Sequence, residues 1–260
     1  MRMILSLLLL MALPMGAQTE SKTPYLVPLH TGQVQGANGS RWSTDFTMFN
    51  ASTLPLLVEG ANENPFILAP VTNYYIPPRT TQDVDIYSLF TEGGFIWVPT
   101  AQAATTFMSL RVRDLSQNAQ SWGTAIPIVK RDEFSGGVTL VDVPTDPRYR
   151  AMLRIYHWSE SAGWPARVTI LNPENNEVLA QFDTSANGSP YPGNNVLMKY
   201  PAQSRVDLLT PQIRAAAPTV RIEIDNLGAN VSPPPPPIWA FVSITNNETQ
   251  QVTTVIPNRP

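Results

Sequence analysis

The chain contains no cysteine among its 260 residues. Disulfide bonds, thiol catalysis and cysteine-ligated zinc sites are therefore excluded. Histidine is scarce as well, with only His30 and His157. Charged residues make up 14% of the chain, well below the roughly 25% of an average globular protein. Such a chain has little material for the common kinds of catalytic centre.

Proline, in contrast, is abundant. The chain has 26 prolines, about twice the usual share of roughly 5%. Because proline breaks helices and suits turns, this composition favours short strands separated by turns over long helices. Hydrophobic residues make up 43%, which is enough for a packed core.

The first 17 residues have the pattern of a secretory signal peptide. Arg2 supplies a positive charge, residues 4–13 form an apolar run, and Gly16 and Ala17 are small residues suited to cleavage. The run is shorter than the roughly 20 residues that span a membrane. We therefore predict a secreted protein, extracellular or periplasmic, that keeps no membrane span after residues 1–17 are removed.

The charge of the mature chain argues against two classes of partner. Removing residues 1–17 takes away one of the 17 basic residues, Arg2, and none of the 20 acidic ones, which leaves a formal net charge of −4. Proteins that bind nucleic acids or anionic membranes usually carry a basic patch and a positive charge. We therefore expect no nucleic-acid partner.

Two segments of the chain resemble each other at a constant spacing. RWSTDFTMFN ends at Asn50, and GWPARVTILN ends at Asn172. Trp42 and Trp164 are 122 positions apart, as are the two asparagines. Within both segments apolar residues alternate with others, which is the period of a strand with one buried face. The constant offset predicts a tandem duplication.

Each copy is rich in short alternating segments. In TFMSLRVRD, for example, we expect Met108, Leu110 and Val112 to face inward. Seven or eight such strands per copy, with turn signals between them, are typical of an immunoglobulin-like sandwich. We therefore predict an all-β protein of two tandem immunoglobulin-like β-sandwich domains, over residues 22–129 and 138–260, joined by a linker at residues 130–137. The proline run at residues 233–237 predicts a stiff loop between two strands of the second domain.

Several stretches resemble a known group of proteins. GANGSRWSTDFTMFN, WGTAIPIVKRDEF, VPTDPRYRAMLRIY and WAFVSITNNETQQVTTVIP are similar to segments of secreted tandem β-sandwich proteins of environmental bacteria that have no known activity. The resemblance implies an exported bacterial β-sandwich protein. It brings no catalytic residues with it.

The sequence contains no recognisable catalytic motif. His157 has Ser159 and Glu160 nearby in sequence, but no nucleophile elbow of the G-x-S-x-G type is present. Asp83 and Asp85 are two residues apart without the spacing of an EF-hand loop. We therefore predict no catalytic residues, no cofactor and no metal site.

Aromatic residues provide the only indication of binding. Tyr156, Trp158 and Trp164 lie close together in the sequence, and Tyr156 and Trp158 share one face of a predicted strand. Tyrosine and tryptophan are common at recognition surfaces. These three side chains are thus candidates for a ligand site or for a buried contact between the domains.

These observations predict a non-enzymatic structural or interaction protein that presents β-sandwich surfaces to an extracellular or cell-envelope protein or glycan. A carbohydrate-binding module is the alternative. An extracellular hydrolase is a third possibility, since two carboxylates distant in the chain can meet in the fold.

The signal pattern generates the first testable prediction. Mass spectrometry of the protein recovered from periplasm or culture medium should give an N-terminus near Gln18. A soluble cytoplasmic protein that keeps Met1 would contradict it.

Overall fold

A computed structural model describes residues 21–28, 34–35, 39–60, 72–84, 94–116, 122–158, 165–185, 202–227 and 235–257. The residues of the predicted signal peptide, together with His30, Asp85 and Trp164, lie outside these ranges. Within the described residues, no helix is long and apolar enough to cross a membrane.

The fold is all-β, as the sequence predicts. The strands are β1 (Lys22–Val27), β2 (Val34–Gln35), β3 (Arg41–Asn50), β4 (Leu56–Gly60), β5 (Thr72–Ile76), β6 (Thr80–Asp83), β7 (Gly94–Pro99), β8 (Thr106–Asp114), β9 (Thr124–Ile126), β10 (Val129–Lys130), β11 (Gly137–Pro144), β12 (Tyr149–His157), β13 (Pro165–Leu171), β14 (Val178–Ser185), β15 (Ala202–Asp207), β16 (Thr219–Asn226), β17 (Ile238–Asn246) and β18 (Val252–Val255). Among the described residues, a short α-helix, α1 (Pro211–Ala216), precedes β16, and 3-10 helices span Thr100–Thr105 and Arg131–Glu133.

The described strands form four antiparallel sheets. Sheet A has the order β10-β1-β7-β4-β5, and sheet B has the order β2-β3-β8-β9 with β6 also paired to β3. Sheet C has the order β15-β12-β17-β18, and sheet D has the order β11-β16-β13-β14. Sheets A and B thus contain only strands β1–β10, which we call the first unit. Sheets C and D contain only strands β11–β18, the second unit.

Strands in which apolar and polar residues alternate supply the apolar side chains of the two cores. Leu110 and Val112 in β8 are buried and Met108 is partly buried, while their neighbours face outward. The same period holds in β16, where Val220, Ile222 and Ile224 are each fully buried. The inward direction that the sequence predicts for these residues is confirmed. The physical cause is the two-residue repeat of a strand with one solvated face.

Four strands end in the same side-chain turn. Oδ1 of Asn50, Asn172 and Asn246 accepts a hydrogen bond from the backbone N–H two residues further on, at 3.0, 3.0 and 2.8 Å. Asp114 does the same after β8, where its Oδ1 accepts from the N–H of Ser116 at 2.9 Å. Such an Asx turn offers the backbone a local acceptor in place of the sheet ladder, and therefore it stops the strand.

The central strands of sheet C are buried on both faces. In β17, Val242 packs into the core between sheets C and D, whereas Phe241 belongs to a cluster with residues of the first unit. In β12, Ile155 and Tyr156 divide in the same way. Sheet A contributes Phe95 to the same cluster. Phe95 is fully buried, and its ring centroid lies 4.4 Å from that of Trp158. One apolar cluster therefore extends from the first unit into the second.

The predicted linker, residues 130–137, is hydrogen-bonded to both units. Lys130 is paired with Tyr25 in sheet A. Ser135 and Ile238 exchange two backbone hydrogen bonds, of 2.9 and 2.7 Å. Between them, Phe134 is buried and its ring contacts that of Trp158 edge-on at 5.1 Å. The segment therefore forms part of the contact between the units.

Some elements differ from the sequence-based expectation. The polar strand β6 and the strand β15 were not predicted, because an exposed edge strand such as Thr80–Asp83 needs no apolar alternation. The proline run lies between β16 and β17, and its described residues 235–237 have no regular structure. This placement between two strands agrees with the predicted loop.

The shared cluster predicts that the two units unfold together. Phe241→Ala removes a fully buried ring from the contact between them, at a cost of about 3–5 kcal/mol. We expect calorimetry to show one transition for the unmodified chain and two separate transitions for this variant. Val242→Ala is the matched control, since it truncates the neighbouring residue on the opposite face. It should lower stability and keep one transition. A single transition in Phe241→Ala would contradict the prediction.

Candidate functional site

The structure places Tyr156 and Trp158 in the contact between the units. Tyr156 is fully buried, and its hydroxyl donates a hydrogen bond to the carbonyl oxygen of Pro28 in the first unit. Its ring is parallel to that of Phe241, with centroids 6.3 Å apart and an interplanar angle of 3°. The side chain therefore fills an internal position and its polar end has a partner.

Trp158 is surrounded in a similar way. Besides Phe95 and Phe134, it contacts the guanidinium of Arg131, whose Cζ lies 5.3 Å from the ring centroid. Its backbone N–H donates to the carbonyl of Pro237 at 2.8 Å. The third candidate, Trp164, lies outside the described residues. The two described candidates thus contact other parts of the protein.

A groove lies where an edge of sheet B meets an edge of sheet C. The hydroxyl of Thr124 in β9 donates a hydrogen bond to the carbonyl of Val252 in β18. Beside this contact is an open space of about 490 Å³, a size typical of small-ligand sites. Trp42, Asp114 and Trp122 line it from the first unit, and residues 249–253 line it from the second. We call it the Asp114 groove.

The two carboxylate oxygens of Asp114 differ in their hydrogen bonds. Its Oδ1 accepts hydrogen bonds from the N–H of Arg41 at 2.9 Å and from the N–H and hydroxyl of Ser116 at 2.9 and 2.7 Å. Its Oδ2 is buried and has no hydrogen-bond partner among the residues that the structure describes. The residue as a whole is 7% exposed. A buried acceptor oxygen of this kind needs a hydrogen-bond donor, because desolvation without a partner is costly.

The Asp114 carboxyl is ionised at neutral pH. Burial by itself raises its pKa, but the hydrogen bonds from Ser116 and from the Arg41 N–H, with the charge of Arg41, outweigh burial and lower the pKa below its ordinary value. The groove therefore contains a negatively charged oxygen that is held in place through its neighbouring oxygen.

Trp122 stands at the edge of the groove and is 83% exposed. The guanidinium of Arg111 lies over its ring at 5.9 Å and donates a hydrogen bond to its carbonyl at 3.2 Å. Gly123 follows with a φ of +71°, and a Cβ there would lie 2.4 Å from the carbonyl oxygen of Val112. Only glycine fits this close approach of two backbone segments. The glycine therefore fixes the path of the backbone next to Trp122.

Neither Asp114 nor Trp122 was singled out from the sequence. Asp114 reads as the polar end of a strand, and Trp122 as the second residue of the segment SWGTAIPIV. The signals available were a tryptophan before glycine and a strand-ending aspartate. They form a site only because the fold brings residues 249–253 of the second unit beside them.

His157 is fully buried at the end of β12. Neither ring nitrogen has a hydrogen-bond partner among the described residues. Burial lowers its pKa from 6.5 to about 4. The imidazole is therefore neutral at physiological pH. Nothing in its described surroundings pairs it with a nucleophile or a carboxylate.

Several of the described carboxylates are held in ion pairs. Asp146 is bound by Arg148 at 2.9 Å, and Asp183 by Arg167 at 2.9 Å. Within the described ranges, no three His, Asp or Glu side chains lie close enough together to hold a metal ion.

Comparisons with protein-family models, with curated proteins and with solved structures found no match. The resemblance to secreted β-sandwich proteins of environmental bacteria therefore stays a prediction.

The burial of His157 predicts a pH-dependent stability. Below pH 6.5 the unfolded chain takes up a proton that the folded chain refuses until about pH 4. The free energy of unfolding should therefore fall over this window, by about 3 kcal/mol for this group. His157→Leu should remove this part of the slope in urea titrations between pH 7.5 and 4.5. His30→Gln, which removes the other histidine, is the control and should retain it. The reverse result would contradict the prediction.

Proposed function

We propose that the protein is a secreted, non-enzymatic structural or interaction protein that presents the surfaces of its two units to a protein or glycan outside the cell. The observation that carries this proposal is a pair of exposed aromatic rings, Phe49 and Phe107, on the outer face of sheet B. Export is supported by the sequence pattern of residues 1–17.

The two rings form one apolar patch. Phe49 in β3 lies directly opposite Phe107 in β8, and the rings stack with centroids 6.1 Å apart at an interplanar angle of 28°. They are 36% and 59% exposed. The next cross-strand pair on that face, Thr47 and Ser109, is polar. Exposed aromatic patches with a polar surround are frequent at recognition surfaces, because a partner that covers them gains apolar burial without unfolding the sheet.

We further propose that the two units are immunoglobulin-like sandwiches related by tandem duplication. In sheet A, β1 lies between β10 and β7, and in sheet C, β12 lies between β17 and β15. In the opposite sheets β3 pairs with β8, and β13 pairs with β16. Met48 in β3 and Ile170 in β13 are both fully buried, and both strands lead into the same Asx turn. The copies differ at their edges, where β4 and β5 extend sheet A.

A carbohydrate-binding module is the second candidate. It is favoured by the Asp114 groove, which combines an exposed indole with a carboxylate oxygen that has no partner in the described part of the chain. Aromatic faces and hydrogen-bonding groups in one open site suit a polyhydroxylated ligand.

The aromatic patch predicts where binding is lost. The labelled mature protein should bind isolated envelopes of the producing cells, and Phe49→Thr/Phe107→Thr should weaken that binding about tenfold or more, because buried aromatic anchors dominate interface energetics. Val178→Thr is the matched control, since Val178 is an isolated apolar residue, 55% exposed, on β14. Thermal unfolding checks that each variant is folded. The absence of binding by the unmodified protein, or equal binding by the double variant, would contradict the proposal.

A further inference from the structure

The Asp114 groove combines three features that point to a class of ligand. It has a buried anionic acceptor, an exposed indole at one edge, and exposed polar side chains at the other edge, Gln251 and Thr253. We propose that it binds a neutral saccharide, with a sugar hydroxyl donating to Asp114 Oδ2 and an apolar sugar face stacked on Trp122. This inference rests on the second candidate function, the carbohydrate-binding module, and assigns its site.

The two oxygens of Asp114 have separate roles. Oδ1 accepts three hydrogen bonds and ends β8, so it holds the carboxylate in position. Oδ2 keeps its lone pairs for a donor from outside. A hydroxyl that donates to an ionised carboxylate makes a charge-assisted bond, which is stronger than a bond between neutral groups. The groove can therefore supply orientation as well as contact area.

The surrounding charges favour a neutral ligand over a cationic one. The backbone of Arg41 is bound to Asp114, and the charge of Arg41 acts on its carboxylate. Arg111 covers part of Trp122. A third arginine, Arg113, is bound to Asp45 at 2.8 Å and compensates that acid. A lysine or arginine side chain in the groove would be repelled by the positive charges of Arg41, which acts on Asp114, and of Arg111, which lies over Trp122, whereas a hydroxyl group carries no charge.

The aromatic walls favour a ring over an extended chain. Trp42 lies partly buried on one wall, and Trp122 is 83% exposed, with the guanidinium of Arg111 over part of its ring. Sugar rings present C–H groups on their faces and hydroxyls at their edges. Asp114 and Gln251 line the same groove as Trp122, so hydrogen-bonding groups are available to the edge hydroxyls of a ring that stacks on Trp122.

Asp114→Asn separates the two roles of this residue. Asparagine keeps an Oδ1 for the strand-ending turn, as Asn50 and Asn172 show in their own turns. It replaces the free acceptor Oδ2 by an NH2 donor. The variant should therefore fold normally and lose the hydrogen bond to the sugar. Asp83→Asn is the matched control, because Asp83 is a carboxylate of the same sheet that accepts from Thr47 and does not line the groove.

The experiment uses the mature chain and defined probes. Cellohexaose, mannohexaose and chitohexaose represent neutral saccharides, and hexalysine represents a cationic peptide. Binding is followed by calorimetry and by the change in tryptophan fluorescence. We expect at least one hexasaccharide to bind, Asp114→Asn and Trp122→Ala to weaken it about tenfold or more, and Asp83→Asn to leave it unchanged. Trp122 is exposed, so its removal tests the groove even if Asp114→Asn unfolds.

The contrary outcomes are distinguishable. If no hexasaccharide binds to the unmodified protein, the carbohydrate-binding function falls together with this site. If a saccharide binds but the two folded groove variants bind it equally well, the function stands and the groove assignment is overturned. If hexalysine binds in place of the saccharides and Asp114→Asn abolishes that binding, the ligand class is overturned and the groove stands.

Discussion

The contact between sheets A and C is the constraint on which the rest of the structure depends. Tyr156, Trp239 and Phe241 project from the outer face of sheet C and share one apolar cluster with the first unit. Exposed, these three rings would form a large apolar surface, and their burial is a strong driving force for joining the units. The hydrogen bond from Tyr156 to Pro28 satisfies the one hydroxyl among these rings.

This contact also creates the groove. β9 and β18 belong to different units, and the bond between Thr124 and Val252 brings the turn after β17 beside Asp114. The acceptor, the indole and the polar rim therefore come from two parts of the chain more than 100 positions apart. The groove depends on the aromatic contact, although none of its lining residues belongs to the three rings of sheet C.

The Asx turn at Asp114 differs from the other three in the chemical group that ends the strand. At Asn50, Asn172 and Asn246 the same turn ends a strand with an amide. At Asp114 the capping group is a carboxylate, which adds a charge that the turn itself does not need. Strand termination explains Oδ1, and it leaves Oδ2 unexplained. Because Oδ2 has no partner among the described residues, Asp114 is a candidate binding group as well as a strand-ending residue.

The sequence by itself determined the fold class and many of the strands. β3, β8 and β16 could be predicted because a strand with one solvated face alternates apolar and polar residues. Leu110 and Val112, separated by one polar residue, show this period. Strands without that contrast, such as β6, could not, since hydrogen bonds to a neighbour and not side-chain burial define them.

Only the tertiary structure decided the use of the aromatic residues. The sequence placed Tyr156 and Trp158 on one face of a strand and left open whether that face meets a ligand or a second unit. The answer depends on which surfaces pack together, and side-chain type alone does not encode this, because rings suit a protein contact and a ligand contact equally well. For the same reason the sequence passed over Asp114 and Trp122. Their chemistry is ordinary, and the fold alone brings them to one groove.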